Sequence, residues 1–253
     1  SNWMIVYNYR NVFFKCEDGK LYGEDTNKKR IEIDSPNPKV YLPVGNCLMG
    51  HIPQADCMAI AWMNNGGVAQ MIGYTVPTWF GYGGWGVLDY FVEQPGRYTL
   101  TEAFFANHQA LLYRLATEGE DSKDARGLLY DRNTVAFYGD PAWQARMAAK
   151  PKAWDQRLDV QDIEGSDDRL YTFTIVPNRG EASFDTINGN GSQRGGRPIV
   201  AWLPERVKDV RIVDDGGLNP LVTDDFILIA HPGKCDPAKE YRIRFQAGAA
   251  EKE

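Results

Sequence analysis

Two short apolar runs with a helix-like segment between them constrain most strongly what this chain can fold into. Residues 39–44 (KVYLPV) and Val68–Tyr74 (VAQMIGY) have the length and apolar content of buried strands. Residues 56–64 (DCMAIAWMN) are typical of a helix, with Asp56 as its predicted N-cap residue. A strand, a helix and a second strand in this order usually form a crossover between parallel strands. The first half of the chain is therefore predicted to be α/β, with a parallel sheet.

Three further elements are predicted in the same half. Thr99 and Glu102 have the spacing of a capping box, which predicts a helix over residues 99–117. Residues 133–138 (NTVAFY) have the composition of a strand. Residues 75–86 are rich in glycine and aromatic side chains, and this composition predicts a loop.

The second half consists of short strand-like runs separated by turn residues. Runs of this length, without strong helices between them, are typical of a small antiparallel β-sandwich. We therefore predict an α/β domain over residues 1–152 and an Ig-like β-sandwich over residues 153–253. The strand-like runs are residues 170–176, 199–203, 207–213, 226–231 and 241–245.

Composition narrows the classes of partner. The chain has 253 residues, with 28 Lys and Arg against 34 Asp and Glu, so its formal net charge is −6. A nucleic-acid-binding protein needs a basic face, and the net charge disfavours that class. No apolar run reaches the ~18–20 residues that a membrane-spanning helix requires, so no span is predicted.

Cys47 is the residue most suited to chemistry. It stands at the end of the first predicted strand, where the chain turns before the helix. Ligands of open α/β sheets bind beyond the carboxyl ends of the strands, and Gly45 and Gly50 permit a close backbone approach there. Backbone N–H groups and helix ends at such a position can activate a thiol as a nucleophile. An ordinary buried cysteine is the alternative reading of the same pattern.

A cysteine nucleophile normally works with a histidine base. The chain has three histidines, and none has the position expected of a base. His51 is on the same predicted turn as Cys47, His108 is inside the predicted helix, and His231 is in the second predicted domain.

Metal binding is weakly indicated. Cys47, His51 and Cys57 lack the fourth ligand of a zinc site, and no cofactor is predicted. The acidic pairs at residues 214–215 and 224–225 could bind a structural calcium ion, although turn formation is the favoured role for such pairs.

A resemblance to a known family adds to this reading. Residues 40–51 (VYLPVGNCLMGH) resemble the nucleophile segment of gingipain-like cysteine peptidases, which belong to the caspase-like clan. The order that follows is also similar: a helix, a strand, a Trp-containing loop, a long helix, and a strand that ends in Tyr-Gly-Asp-Pro at residues 138–141. The resemblance covers residues 1–147.

The resemblance implies a cysteine endopeptidase with a caspase-like sheet, followed by a β-sandwich. Cys47 would be the catalytic nucleophile, and the backbone N–H groups of Asn46 and Cys47 would form part of the oxyanion hole. Trp79 would form a wall of the substrate pocket, with Thr78, Tyr82 and Gly83 as further pocket residues. The family also implies a peptide or protein substrate and an exported bacterial protein.

The sequence departs from the family pattern at the catalytic base. In the family, a His-Gly-like segment lies upstream of the nucleophile, and a Trp lies a few residues after that histidine segment. In this sequence no His precedes Cys47. Trp3 matches the later Trp, so the histidine is expected just before Ser1, in an upstream segment of the same protein. The alternative is a degenerate, non-catalytic module that binds a peptide or glycan through the aromatic loop at residues 79–85.

Overall fold

The computed structural model describes residues 3–5, 13–43, 48–78, 80–178, 195–233 and 235–250. The fold is mixed α/β, and the chain divides into two compact units. The first unit comprises residues 1–92 and 96–148, and the second comprises residues 93–95 and 149–253. None of the helices in these described ranges has the length and apolarity needed to cross a membrane.

The first unit opens with an antiparallel meander of four strands. Strands β2 and β3 are joined by Asp18-Gly19, and both residues have positive φ (52° and 69°), as a two-residue hairpin turn requires. The inner faces of the meander bury Cys16 and Leu21 against the first helix. The strands are β1 (Trp3–Ile5), β2 (Phe13–Glu17), β3 (Lys20–Glu24) and β4 (Arg30–Glu32).

A second, three-stranded sheet positions the candidate site. It consists of β5 (Lys39–Tyr41), β6 (Val68–Tyr74) and β7 (Val135–Gly139), in the order β5-β6-β7. Helix α1 (Met58–Asn64) connects β5 to β6, and these two strands are parallel, which confirms the predicted crossover. Strand β7 runs antiparallel to β6, so the sheet is mixed rather than wholly parallel.

The predicted N-cap of α1 is wrong by one residue. Cys57 is the N-cap, and it makes no side-chain capping hydrogen bond. The carboxylate of Asp56 instead accepts a hydrogen bond from the Gly19 backbone at 3.3 Å. The Asp56 carboxylate, which the sequence predicted to cap the helix, is therefore bound to the β2–β3 turn instead.

Three more helices complete the first unit, namely α2 (Tyr82–Phe91), α3 (Leu100–Glu118) and α4 (Ala125–Thr134). The capping box of α3 is confirmed, because the Thr99 hydroxyl accepts from the Glu102 backbone (3.1 Å) and the Glu102 carboxylate accepts from the Thr99 backbone (2.6 Å). The loop predicted over residues 75–86 is wrong from Tyr82 onward, where α2 begins.

The glycines that suggested a loop are needed for packing of α2. A Cβ atom on Gly83 would lie only 2.8 Å from the Val135 side chain, so the helix approaches β7 through its glycine face. Helix α4 was not predicted, and the strand predicted from residue 133 begins at Val135 because Asn133 and Thr134 close this helix.

The second unit is antiparallel throughout its described strands. One sheet has the order β11-β14-β9-β8 and the other has the order β10-β13-β12. Both sheets contribute to one buried cluster, in which Tyr171 and Phe245 stack at 4.8 Å. The strands are β8 (Trp154–Asp162), β9 (Asp168–Pro177), β10 (Ile199–Trp202), β11 (Val207–Asp214), β12 (Leu221–Val222), β13 (Phe226–Ile229) and β14 (Tyr241–Ala249).

Candidate functional site

The carboxyl ends of β5 and β6 lie at one edge of the sheet because the two strands are parallel. The chain leaves β5 at Tyr41 and returns to this edge in the turn at residues 48–50. There the Gly50 N–H donates to the carbonyl of Tyr74, the last residue of β6, at 2.9 Å. The Tyr138 hydroxyl donates to the Gly50 carbonyl. The turn is thereby held by the last residue of β6 and by a side chain of β7.

This contact requires glycine on both sides. A Cβ atom on Gly50 would lie 2.5 Å from the Gly73 carbonyl oxygen, and one on Gly73 would lie 2.7 Å from the Gly50 nitrogen. Backbone therefore packs directly on backbone.

Three of the predicted site residues lie outside the described residues. These are Asn46 and Cys47, which fall between Pro43 and Leu48, and Trp79. Their assigned roles as oxyanion donors, nucleophile and pocket wall stay predictions.

A buried carboxylate organises the segment that follows β6. Asp131 of α4 is fully buried and accepts hydrogen bonds from the Thr78 hydroxyl (2.8 Å), the Tyr74 hydroxyl (3.0 Å) and the Gly83 N–H (2.9 Å). The Tyr74 hydroxyl in turn accepts from the Gly84 N–H at 2.7 Å. Strand β6, the following loop, α2 and α4 therefore meet at one polar cluster.

The cluster replaces the missing side-chain cap of α2. The N-cap residue Gly81 has no side chain and adopts φ 78°, a conformation that glycine accommodates without strain. Gly83 and Gly84 lie in the first turn, where backbone N–H groups have no partner inside the helix. Asp131 and Tyr74 accept from these groups, and the positive end of the helix dipole stabilises the carboxylate.

The neighbouring helices hold the same segment from other directions. The Asn107 amide of α3 donates to the carbonyls of Tyr82 and Gly83, both at 3.0 Å. The Tyr130 hydroxyl of α4 donates to the Pro77 carbonyl at 2.8 Å. The start of α2 is thus held by α3, and Pro77 and Thr78 of the loop after β6 are held by α4.

The other predicted pocket residues have definite surroundings. Thr78 and Gly83 meet at Asp131, and Thr78 is only 7% exposed. Tyr82 is 5% exposed and its ring stacks on Phe80, with 6.4 Å between the centroids. Their contact with a substrate stays a prediction.

The three histidines occupy different environments. His51 is exposed and directly follows the Gly50 turn. His108 is half-buried in α3, its Nδ1 lies 3.1 Å from the Phe104 carbonyl, and burial lowers its pKa. The His231 ring accepts a hydrogen bond from the Gly233 N–H at 3.0 Å in the second unit. His51 is therefore the imidazole nearest along the chain to Cys47.

The acidic pairs proposed for calcium make other contacts, and the first pair lies at a turn. The carboxylates of Asp214 and Asp215 accept from the N–H groups of Gly216 and Gly217 at 3.0 and 2.8 Å. Asp224 lies 3.5 Å from the Arg206 guanidinium. In the described ranges, no group of three or more His, Cys, Asp or Glu side chains is arranged to hold a metal ion.

Comparison with known proteins adds no relative. The chain matches no family model, no curated protein and no solved structure. The function is therefore argued from the site and from the sequence pattern.

Sequence reasoning missed the organising residues of this site. Asp131 is a single acidic residue between Tyr130 and Arg132, and it belongs to no recognised motif. The glycine-led start of α2 carries the one available signal, because a helix that begins without a capping side chain needs an acceptor from elsewhere. The residue that supplies this acceptor is determined by the tertiary structure and cannot be identified from the local sequence.

Proposed function

We propose that the first unit is a cysteine endopeptidase domain in which Cys47 attacks the carbonyl carbon of a peptide bond. A histidine base takes the thiol proton, the thiolate adds to the carbonyl carbon, and the C–N bond breaks as the base returns that proton to the leaving amine. Water then hydrolyses the thioester to a carboxylic acid and the free thiol. The observation that supports this proposal is the described structure before and after Cys47 in the sequence. Strand β5 ends at Tyr41, and the turn at residues 48–50 is hydrogen-bonded to Tyr74, the last residue of β6.

The sequence connects Cys47 to this edge of the sheet. Leu48, the next residue, is the first described residue of the turn at residues 48–50, and that turn is hydrogen-bonded to the end of β6. The carboxyl edge of a parallel strand pair is the usual place for ligands in α/β sheets. A peptide substrate is therefore proposed to bind along this edge.

The order of elements supports membership of the gingipain-like, caspase-like group. Helix α1, strand β6, the loop after it, the long helix α3 and strand β7 occur in the order that the resemblance implies, although α2 and α4 are additional helices within that order. The buried Gln70 amide donates to the carbonyls of Asp140 (2.6 Å) and Trp143 (2.8 Å), which fixes the Gly-Asp-Pro segment after β7. The two sheets with a common core in the second unit support an Ig-like β-sandwich. An exported bacterial peptidase is the corresponding biological setting.

The anchored loop after β6 suits a substrate pocket. Its position is determined by Asp131 and Tyr130 of α4, so a peptide side chain would meet a preorganised wall. Preorganisation reduces the entropy lost on binding.

A peptidyl chloromethyl ketone and a mixed peptide substrate test the proposal. We expect the reagent to alkylate Cys47, and Cys47→Ala to abolish both labelling and cleavage while the protein remains folded. Cys57→Ala is the matched control, because Cys57 is buried at the start of α1 and should not contribute. Labelling or cleavage by Cys47→Ala at the parent rate would contradict the proposal. A parent protein that binds peptide without labelling would instead favour the non-catalytic module.

A further inference from the structure

Strand β8 is an edge strand with an unusually regular backbone. It pairs with β9 along its whole length, from Trp154 opposite Pro177 to Asp162 opposite Arg169, with no register shift. No strand in the described parts of the chain pairs with its other side. The row of N–H and C=O groups on that side therefore has the geometry to accept another strand.

The opposite edge of the same sheet has the features that prevent such pairing. Strand β11 has register shifts between Lys208 and Arg211 and between Ile212 and Asp214, and Asp209 has φ 54°. Bulges of this kind twist an edge away from a partner. The two edges of the sheet therefore differ, because β11 contains register shifts and β8 does not.

The side chains of β8 alternate strictly between two faces. Leu158 and Val160 pack against the core of the second unit. Asp155, Arg157 and Asp159 lie on the exposed face. This exposed face therefore carries charges of alternating sign along the edge.

The alternation makes β8 complementary to itself. In an antiparallel pair, residues directly opposite each other lie on the same face of the sheet. Pairing of two copies about Leu158 brings Arg157 opposite Asp159 of the second copy, twice by symmetry, and pairs all nine residues of the strand. Pairing about Arg157 would oppose two arginines, and pairing about Asp159 would oppose two aspartates. Pairing about Gln156 would also oppose Arg157 to an aspartate, Asp155, but it would pair only residues 154–158. Charge and strand overlap together therefore favour the register centred on Leu158.

The charged groups are already held at this edge in the single chain. The Arg157 Nε atom lies 3.2 Å from Asp159, and its Nη2 atom lies 3.6 Å from Glu240. The side chains of Arg157 and Asp159 are 55% and 54% exposed, so these contacts contribute little in water and can be exchanged for cross-strand pairs.

We propose that the chain associates with a second copy of itself through antiparallel pairing of β8 with β8. The two four-stranded sheets then form one continuous eight-stranded sheet across a two-fold axis at Leu158. Main-chain hydrogen bonds supply the attraction, and the Arg157–Asp159 pairs fix the register. Since the interface is one strand wide, we expect a weak dimer with a dissociation constant of about 10 µM to about 1 mM.

Sedimentation equilibrium at low salt, with charge-swap variants, tests this proposal. We expect R157D and D159R each to weaken dimerisation by about tenfold or more, because like charges then face each other across the two-fold axis. The double variant R157D/D159R should restore the parent dissociation constant, since it recreates the opposite-charge pairs in reversed order. R126D, an equal charge change on an exposed position of α4, is the control and should dimerise as the parent does.

Three results would overturn the proposal. These are a parent protein that stays monomeric at about 1 mM, a double variant no better than the single ones, or an equal loss in R126D. Thermal melts of all variants show whether each remains folded, and rescue in the double variant excludes unfolding as the cause of weakened association.

Discussion

The Tyr74 carbonyl accepts a hydrogen bond from the Gly50 N–H at 2.9 Å, which joins the end of β6 to the turn that follows Cys47 in the chain. The hydroxyl of the same tyrosine donates to Asp131 at 3.0 Å. One residue therefore connects the segment expected to carry the nucleophile with the cluster that positions the loop after β6.

Substitution of Gly50 by alanine tests the backbone contact. The new Cβ atom would lie 2.5 Å from the Gly73 carbonyl oxygen, so one of the two backbone segments would have to shift. We expect the free energy of unfolding to fall by ~1–3 kcal/mol, the usual cost of overpacking, measured by urea denaturation. Gly165→Ala is the control, because no atom lies within 4 Å of its Cβ position and only its positive φ of 75° opposes the change. Equal losses in the two variants would show that the contact is not tight.

Asp131→Asn tests the cap that α4 supplies to α2. The amide keeps the shape of the carboxylate but replaces one accepting oxygen with an NH₂ group, which then faces either the Thr78 hydroxyl or both the Tyr74 hydroxyl and the Gly83 N–H. We expect a loss of ~2–4 kcal/mol in the free energy of unfolding, since buried donors lose a charged acceptor. Hydrogen exchange should accelerate at the amides of Gly83 and Gly84 more than in α3. Asp121→Asn, on an exposed turn, should leave both readouts unchanged, and unchanged exchange in Asp131→Asn would disprove the cap.

Thr78 offers a finer test of the same cluster. Thr78→Val removes the hydroxyl that donates to Asp131 while keeping the side-chain volume. We expect a loss of ~1–2 kcal/mol in the free energy of unfolding, with Thr78→Ser closer to the parent. In a double-mutant cycle, Thr78→Val should cost much less in the Asp131→Asn background, and full additivity would show that the two residues do not interact.

His108 should make stability depend on pH. Burial lowers its pKa from the ordinary 6.5, so the unfolded chain binds a proton more readily than the folded one. The stabilisation is present above pH 6.5 and is lost as the pH falls through the lower folded pKa. We expect His108→Gln to reduce the fall in the free energy of unfolding between about pH 8 and about pH 5. A slope in His108→Gln equal to that of the parent would contradict this expectation.

The parallel β5–α1–β6 crossover could be predicted because its apolar runs and turn residues are local signals. The start of helix α2 could not be predicted, because its glycines favour a loop. It is helical because Asp131 and Tyr74 accept hydrogen bonds from its first turn and Val135 packs against it. Strand β8 was missed because Asp, Arg and Gln alternate with only two aliphatic residues, Leu158 and Val160, and its burial comes from the sheet it joins. The role of Asp131 as a hydrogen-bond acceptor could not be predicted, because it arises only when α4 folds against β6.

The most direct test of the central claim compares the rates at which iodoacetamide alkylates the four cysteines at neutral pH, read by peptide mass spectrometry. Cys16, Cys57 and Cys235 are buried, and burial raises the pKa of the Cys16 thiol to about 11, so these three should react slowly in the folded protein. If Cys47 is an activated thiol at an accessible sheet edge, it should react about tenfold or more faster than each of them, and the rates should converge in urea. A Cys47 rate in the folded protein equal to or below that of Cys57 would contradict the account.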